Sequence, residues 1–210
     1  FNRAALLHTT LVSLQAQDIN DWEAIVVDDG STPDEWTFAQ EFQDSRITFL
    51  QRTDGNKGPS RCRNLGTQAA NSEHVIFVDS DDIVAPWALR QRLTILGDHP
   101  DVDFAVFPVM LFANTPGDQN LLWNTLEGND DVRRFLSSDP VWHTSSPIWR
   151  KDALVQLDGF NEHVMYGDDS DLHLRALLKG LRYTKQPCVL PDMFVRRSDD
   201  ERITNTLSPK

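Results

Sequence analysis

Val75-Ile76-Phe77-Val78-Asp79-Ser80-Asp81-Asp82 runs an apolar stretch straight into a group of carboxylates. Ala24-Ile25-Val26-Val27-Asp28-Asp29-Gly30-Ser31 repeats the pattern 51 residues earlier. A continuous run of β-branched and aromatic residues suits a strand covered on both faces, as in a parallel sheet. Carboxylates cannot follow that run inward, because an unpaired buried charge is too costly. They belong at the carboxyl edge of the sheet, where open α/β folds bind ligands. Two acidic edges side by side suit a divalent cation that bridges to an anionic ligand.

The rest of the chain alternates helical and extended patterns around these two runs. Residues 3–16 place Leu7, Leu11 and Leu14 on one helical face. Thr32-Pro33-Asp34 starts a helix, with Pro near N1 and acids in the first turn. Residues 46–51 read as a strand, and Asp54-Gly55-Asn56-Lys57-Gly58-Pro59 as a turn-rich loop. A helix is expected from about Ser60 to Ala70, a strand from His74 to Val78, and a helix opened by Pro86 and closed by Gly97. Residues 102–107 are strand-like. The pattern is that of a doubly wound α/β sheet, mostly parallel, with helices on both faces. The second half is less regular. It reads as a polar loop over 114–127, a helix over 129–137 and an irregular stretch from Val141 to Trp149. A helix over 168–179 closed by Gly180 and an extended 182–197 complete it. No linker stands out, so 1–210 reads as one domain, with a ligand-binding half near 1–110 and an acceptor-facing half near 111–210.

Bulk properties narrow the function. The chain has 210 residues, 40% hydrophobic and 25% charged, which describes a soluble globular protein. A net charge of −12 argues against unaided nucleic-acid binding, which needs a basic face. Local positive charge exists from Arg52 to Arg63 and at Arg196-Arg197. Cys62 and Cys188 form no CxxC pair and read as reduced thiols. No stretch approaches the ~18 apolar residues of a membrane span.

Several clusters could carry chemistry. Asp79 and Asp81, at i and i+2 on a turning strand end, can reach one small volume and suit Mg2+ or Mn2+ shared with substrate phosphates. An EF-hand loop is a poor fit, since its sixth and twelfth positions would be Val84 and Arg90. Asp82 reads as a cap for the helix near Pro86. Asp28 or Asp29 could accept from a nucleobase N–H, with an Asx-turn as the competing reading. Asn56-Lys57-Gly58-Pro59-Ser60-Arg61-Cys62-Arg63 opens a helix with amides and cations that could meet phosphate. Gly167-Asp168-Asp169-Ser170-Asp171 holds more acid than a helix start needs, and one carboxylate could be a general base. His143, in Trp142-His143-Thr144-Ser145-Ser146, reads as structural ahead of metal or phosphate binding. Trp123, Trp142 and Trp149 read as core or rim packing ahead of stacking on a ligand ring.

In order along the chain, these pieces resemble the family 2 glycosyltransferases of the GT-A fold. Phe1-Asn2-Arg3 is similar to the end of that family's opening strand and turn. Asp28-Asp29-Gly30-Ser31 resembles its Asp-Asp-Gly-Ser signature, and Asn56-Lys57-Gly58 through Arg63-Asn64-Leu65-Gly66 its Asn-x-Gly to Arg-Asn-x-Gly segment. Asp79-Ser80-Asp81 matches its DxD motif. Gly159-Phe160-Asn161-Glu162 and then Gly167-Asp168-Asp169-Ser170-Asp171-Leu172 resemble its Gly-Phe-Asp-Glu and Glu-Asp-x-Asp-Leu segments. The resemblance implies a Rossmann-like GT-A sheet and inverting transfer from a UDP- or GDP-sugar to a sugar, lipid-linked or polymeric acceptor. Asp28 and Asp29 would border the base. Lys57 and Arg63 fall in the substrate-binding segment. Asp79 would lie near ribose and metal, Asp81 would bind Mn2+ or Mg2+, and Asp169 would be the catalytic base. Asp168, counted with the substrate-binding residues, stands where the family usually has Glu. The sequence begins past the family's first strand, so a preceding strand is expected in the protein. A cytoplasmic or membrane-associated role in surface polysaccharide or glycoconjugate synthesis is the implied setting. Two other readings compete. A nucleotidyltransferase of related fold should carry a Gly-rich basic loop after strand one, and Asn2-Arg3-Ala4-Ala5-Leu6 is not one. A non-catalytic nucleotide-sugar-binding module would have little use for both Asp81 and Asp169.

Overall fold

The computed structural model describes residues 2–53 and 57–197. The chain runs through α1 (Ala4–Gln15), β1 (Ala24–Asp28), α2 (Pro33–Gln40), β2 (Ile47–Gln51), α3 (Pro59–Ala69), β3 (His74–Val75), β4 (Ile83–Val84) and α4 (Ala88–Asp98). It continues through β5 (Phe104–Val106), β6 (Val109–Phe112), β7 (Leu121–Leu122), α5 (Asp131–Leu136) and β8 (Pro147–Arg150). The last elements are α6 (Lys151–Gln156), α7 (Asp168–Leu178), β9 (Tyr183–Lys185) and β10 (Met193–Arg196). Phe1, Asn56 and the Asp54-Gly55 part of the expected turn lie outside the described residues.

The α/β alternation of the first half holds. Thr32 precedes a helix with Pro33 at its first position and Asp34 and Glu35 in its first turn, the arrangement a helix dipole favours. The α2 helix carries the chain from β1 to the parallel β2, paired from Ala24↔Ile47 to Asp28↔Gln51. The α3 helix crosses close to β1: a Cβ at Gly66 would meet Val27 Cγ2 at 3.6 Å.

Two larger sheets follow the orders β3-β8-β5-β9 and β4-β10-β6-β7. Strand alternation shows how the first is covered. Phe104 and Val106 pack with Trp149, with Ala153 and Leu154 of α6, and with Leu172 and Ala176 of α7. Their neighbours Ala105 and Phe107 pack with Ile148 and with Leu96 of α4. Successive side chains of a strand point to opposite faces, so α4 covers one face and α6 with α7 the other. Phe104 stacks on Trp149 at 4.2 Å and on Tyr183 at 5.1 Å. In the second sheet, Met193 and Val195 pack with Val84, Ala88 and Val109.

The structure departs from the sequence reading in several places. Among the described residues the ladders are mixed, with β1–β2, β10–β6 and β5–β9 parallel and the other pairs antiparallel. The irregular Val141–Trp149 stretch accounts for two of the four antiparallel pairs, because its end forms β8, which inserts antiparallel between β3 and β5. The α6 helix after it was not anticipated either. The expected strand over 74–78 is laddered only at His74 and Val75, because β8 pairs with those two residues alone. Gly97 lies within α4 rather than past its end. Trp142 and Trp149 are 1% and 0% exposed, so they are core residues with no face for a sugar.

A buried ion pair joins the two larger sheets. Arg92 of α4 donates from Nε to Asp192 Oδ2 at 3.0 Å and from Nη2 to Asp192 Oδ1 at 2.6 Å. Its Nη1 donates to the Ser145 carbonyl at 2.8 Å. Both side chains are 0% exposed. A buried pair of this kind holds only when both charges are fully hydrogen-bonded.

Candidate active site

The two acidic edges behave differently. At the end of β1 the chain turns at Gly30, whose φ of +77° favours glycine. Asp28 Oδ2 accepts from the Gly30 and Ser31 amides at 3.1 and 2.8 Å and from Gln51 Nε2 at 3.2 Å. Its Oδ1 accepts from the Ser31 hydroxyl. This is the Asx-turn reading realised. Burial pushes the Asp28 carboxyl up, but the Ser31 and Gln51 hydrogen bonds outweigh it and hold it below the ordinary value. Asp29 accepts from Arg52 Nη1 at 2.7 Å and from the Gly58 amide at 2.8 Å. Lys57 lies alongside, its Cε 4.0 Å from where a Gly30 Cβ would stand. A cavity of about 90 Å³ adjoins this edge, with Arg3, Asp28, Ser31 and Ser80 among its lining residues. It connects the β1 edge with the turn at Asp79–Asp82.

That turn is the centre of the second edge. Arg63, on α3, donates from Nη2 to Asp79 Oδ1 at 2.8 Å and from Nη1 to Asp168 Oδ2 at 2.7 Å. Its guanidinium also stands 5.2 Å from the Phe160 ring centroid. Asp168 accepts a further bond from Ser60 Oγ at 2.9 Å. Arg63 and Asp168, both expected as substrate-binding residues, therefore brace the site against each other. The brace carries the first turn of α7 to the end of the Val75–Val78 run. Asp81 accepts from Arg3 Nη1 at 3.3 Å, and its carbonyl from Arg196 Nε at 3.3 Å.

The electrostatics of the cluster follow from this packing. Desolvation pushes the Asp79 carboxyl up, but the Arg63 charge and hydrogen bond, with Arg3 nearby, leave it below the ordinary value. Burial raises the Asp81 carboxyl, and the neighbouring Asp79 charge raises it further. Asp169 is raised mainly by burial; the Ser170 amide and Arg63 oppose the shift and Asp168 adds to it. A carboxylate raised in this way is better matched to taking a proton near neutral pH.

Asp82 is not the helix cap the sequence suggested. It is 2% exposed, and the residue before α4 is Trp87, which makes no side-chain cap bond. The Asp82 carboxyl accepts from Ser145 Oγ at 3.2 Å and from the Arg196 amide at 3.3 Å. Its carbonyl accepts from Thr10 Oγ1 at 2.7 Å. It ties α1, the 143–146 turn and β10 to the acidic corner. No spacing in the sequence marks Ser145, Thr10 or Ser60 as its neighbours. Arg3 could have been noticed as a cation at the start of α1.

The donor set fits a hard divalent cation shared with a ligand. Asp79 and Asp81 are neighbouring carboxylates, and the Asp79 charge raises the Asp81 carboxyl; no group of three or more His, Cys, Asp or Glu able to hold a metal occurs among the described residues. One or two carboxylates completed by phosphate oxygens is the usual environment of Mg2+.

An α/β fold with carboxylates collected at strand ends and a carboxylate facing them from a helix start defines a class, the GT-A architecture expected from the sequence. The mannosyltransferase PcManGT from Pyrobaculum calidifontis, solved with GDP-Man and Mn2+, matches at a TM-score of 0.67 and 23% identity over 98% of this chain and 56% of its own. S. aureus TarS 1-349 in complex with UDP-GlcNAc matches at 0.77 and 21% identity over 97% of this chain and 58% of its own. The chain belongs to glycosyl transferase family 2, whose family model matches residues 1–154. The matched range holds both acidic edges and ends before α7. Among curated relatives, the amylovoran biosynthesis glycosyltransferase AmsE of Erwinia amylovora is 25% identical over 92% of this chain and 71% of its own length. The first curated relatives are matched over only 29% to 66% of their lengths.

Proposed function

We propose that this chain transfers a glycosyl group from a UDP- or GDP-sugar to an acceptor hydroxyl, with divalent-metal assistance and inversion at the anomeric carbon. The observation that carries the reading is the Arg63 brace, which fixes the first turn of α7 against Asp79. Family membership supports it, as do the UDP-GlcNAc and GDP-Man complexes of the two structural neighbours. Asp28, Asp29 and Lys57 form the base side of the donor site. Asp81, with Asp79, would hold Mn2+ or Mg2+. When bound, the cation offsets charge on the diphosphate leaving group.

The remaining roles belong to the protein. Asp169 accepts the proton of the acceptor hydroxyl as its oxygen bonds to the anomeric carbon. The bond from that carbon to the β-phosphate oxygen breaks on the opposite face, and the nucleoside diphosphate leaves with the electron pair. Arg63 holds Asp79 and Asp168 at a set separation, so base and donor are positioned before substrate arrives. We read the chain as one unit, its first 110 residues serving the donor and the rest the acceptor. Among the described residues no helix is long and apolar enough to cross a membrane. A cytoplasmic or membrane-associated place in surface polysaccharide synthesis is in keeping with AmsE.

The test is product analysis with UDP- and GDP-sugars, with Mn2+ or with EDTA, on wild type and Asp81→Ala. Metal-dependent release of UDP or GDP, lost in Asp81→Ala, is expected. Pyrophosphate as product would indicate nucleotidyl transfer. Nucleotide binding without release would indicate a binding module.

A further inference from the structure

The His143 ring is held in one orientation at the acidic corner. The His143 amide donates to Ser146 Oγ at 3.1 Å, and the Ser146 amide donates to the His143 carbonyl at 3.0 Å. The Ser145 amide donates to His143 Nδ1 at 3.2 Å. An Nδ1 that accepts carries no proton, so the neutral ring carries it on Nε2. That Nε2 lies 4.0 Å from Asp79 Oδ2. Trp123 packs edge-on against the ring at 5.5 Å, and the side chain is 14% exposed. It therefore stands beside Asp79, at the diphosphate end of the donor site.

We propose that His143 recognises the glycosyl unit of the donor, donating from Nε2–H to a hydroxyl or acyl oxygen of the sugar; this rests on the transferase reading above. The anomeric carbon must lie between the leaving diphosphate, held at Asp79 and Asp81, and the hydroxyl that Asp169 deprotonates. The sugar attached to that carbon fills the same space, and a donor fixed by the 143–146 turn faces it. A preset donor in a partly dry site discriminates ligands that can accept from it.

Two variants separate this role from a structural one. Asn at 143 can still accept from the Ser145 amide but has no donor at the Nε2 position. Gln reaches that position. The measurement is calorimetric titration, with Mn2+, of UDP-GlcNAc against UDP and of GDP-mannose against GDP. For the pair wild type prefers, His143→Asn is expected to weaken the nucleotide-sugar by about three- to tenfold, the worth of one net hydrogen bond. The free nucleotide should bind as before, and His143→Gln should recover part of the loss. Equal weakening of nucleotide and nucleotide-sugar overturns the proposal, as does an unchanged His143→Asn. Wild type that binds the nucleotides with no contribution from the sugar also overturns it. Wild type that binds none of the four fails the transferase reading itself, and this inference with it.

Discussion

Arg92→Met should unfold the protein far more easily than its position away from the acidic corner suggests. Met occupies much of the volume of the arginine stem and removes the charge. Among the described residues the Asp192 carboxylate then keeps only its bond from Gln91 Nε2 at 3.1 Å, while remaining 0% exposed. Removing one partner of a buried ion pair costs about 3–5 kcal/mol, because the other charge stays behind without compensation. For a chain of this size, about 2–4 °C of Tm per kcal/mol converts that to a fall of about 6–20 °C. Pairing Arg92→Met with Asp192→Leu removes both charges, and the double variant should recover most of the loss. Urea and thermal denaturation of the four proteins, read as a double-mutant cycle, measure the coupling. A single variant within about 1 kcal/mol of wild type would refute the argument. So would a double variant no better than the single ones. The pair also reaches the site: Arg92 holds the Ser145 carbonyl, whose residue binds His143 Nδ1 and Asp82. Arg92→Met protein kept cold enough to stay folded should therefore show weaker nucleotide-sugar binding than wild type.

Asp169→Asn should lower turnover by about 10²–10⁴-fold, the usual worth of a general base, with nucleotide affinity retained in titration. Because burial raises Asp169, wild-type kcat/KM should fall on acidification with a midpoint above that of an ordinary aspartate; a midpoint at or below about 3.9 would contradict this. His173 is fully buried among Phe135, Trp142 and Trp149, and burial lowers its pKa from 6.5 to about 3. The unfolded chain therefore binds a proton between those values that the native state refuses, so stability is full above pH 6.5 and declines as pH falls toward 3. His173→Phe should make the decline shallower in stability–pH curves, and an unchanged slope would count against the assignment. Gly159→Ala should destabilise, because φ is +65° and the new Cβ would lie 2.4 Å from Asn64 Oδ1; an unchanged Tm would refute it.

The legible part of the fold is the part where local sequence and final environment agree. The Ala24–Asp28 run is apolar and ends in acids, and it becomes a strand ending at an edge. Thr32-Pro33 starts a helix because the proline lacks the donor that a helix start leaves unpaired. The illegible part is Val141–Trp149. Its polar residues break any strand period, yet Thr144, Ser145 and Ser146 are each no more than 2% exposed. Ser145, the most buried of them, is satisfied by Asp82 and Arg92, more than fifty residues distant. Neither propensity nor periodicity encodes a polar strand entry that is satisfied from elsewhere in the chain, so β8 and the sheet inversion it causes were invisible.

The site divides along the same line. Motif order alone locates Asp28, Asp79, Asp81 and Asp169, because each sits at the end or start of an element that the pattern itself predicts. It gives no account of which of the acids is paired with what. Asp168 and Arg63 look from sequence like two ligands for substrate, one anionic and one cationic; in space each is the other's partner. The consequence is mechanistic as well as descriptive. On the proposed reading, a chain carrying −12 overall brings an anionic donor to a corner already crowded with carboxylates. Arg63, Arg3 and Arg52 each neutralise one or two of those carboxylates within the protein. The cluster presented to substrate is then much less negative than its sequence, and the repulsion left between Asp79 and Asp81 is the part that a bound cation relieves. On the proposed reading, arginines placed on acids rather than aimed at phosphate favour a diphosphate that arrives with its metal, since the bare anion would meet the repulsion that remains.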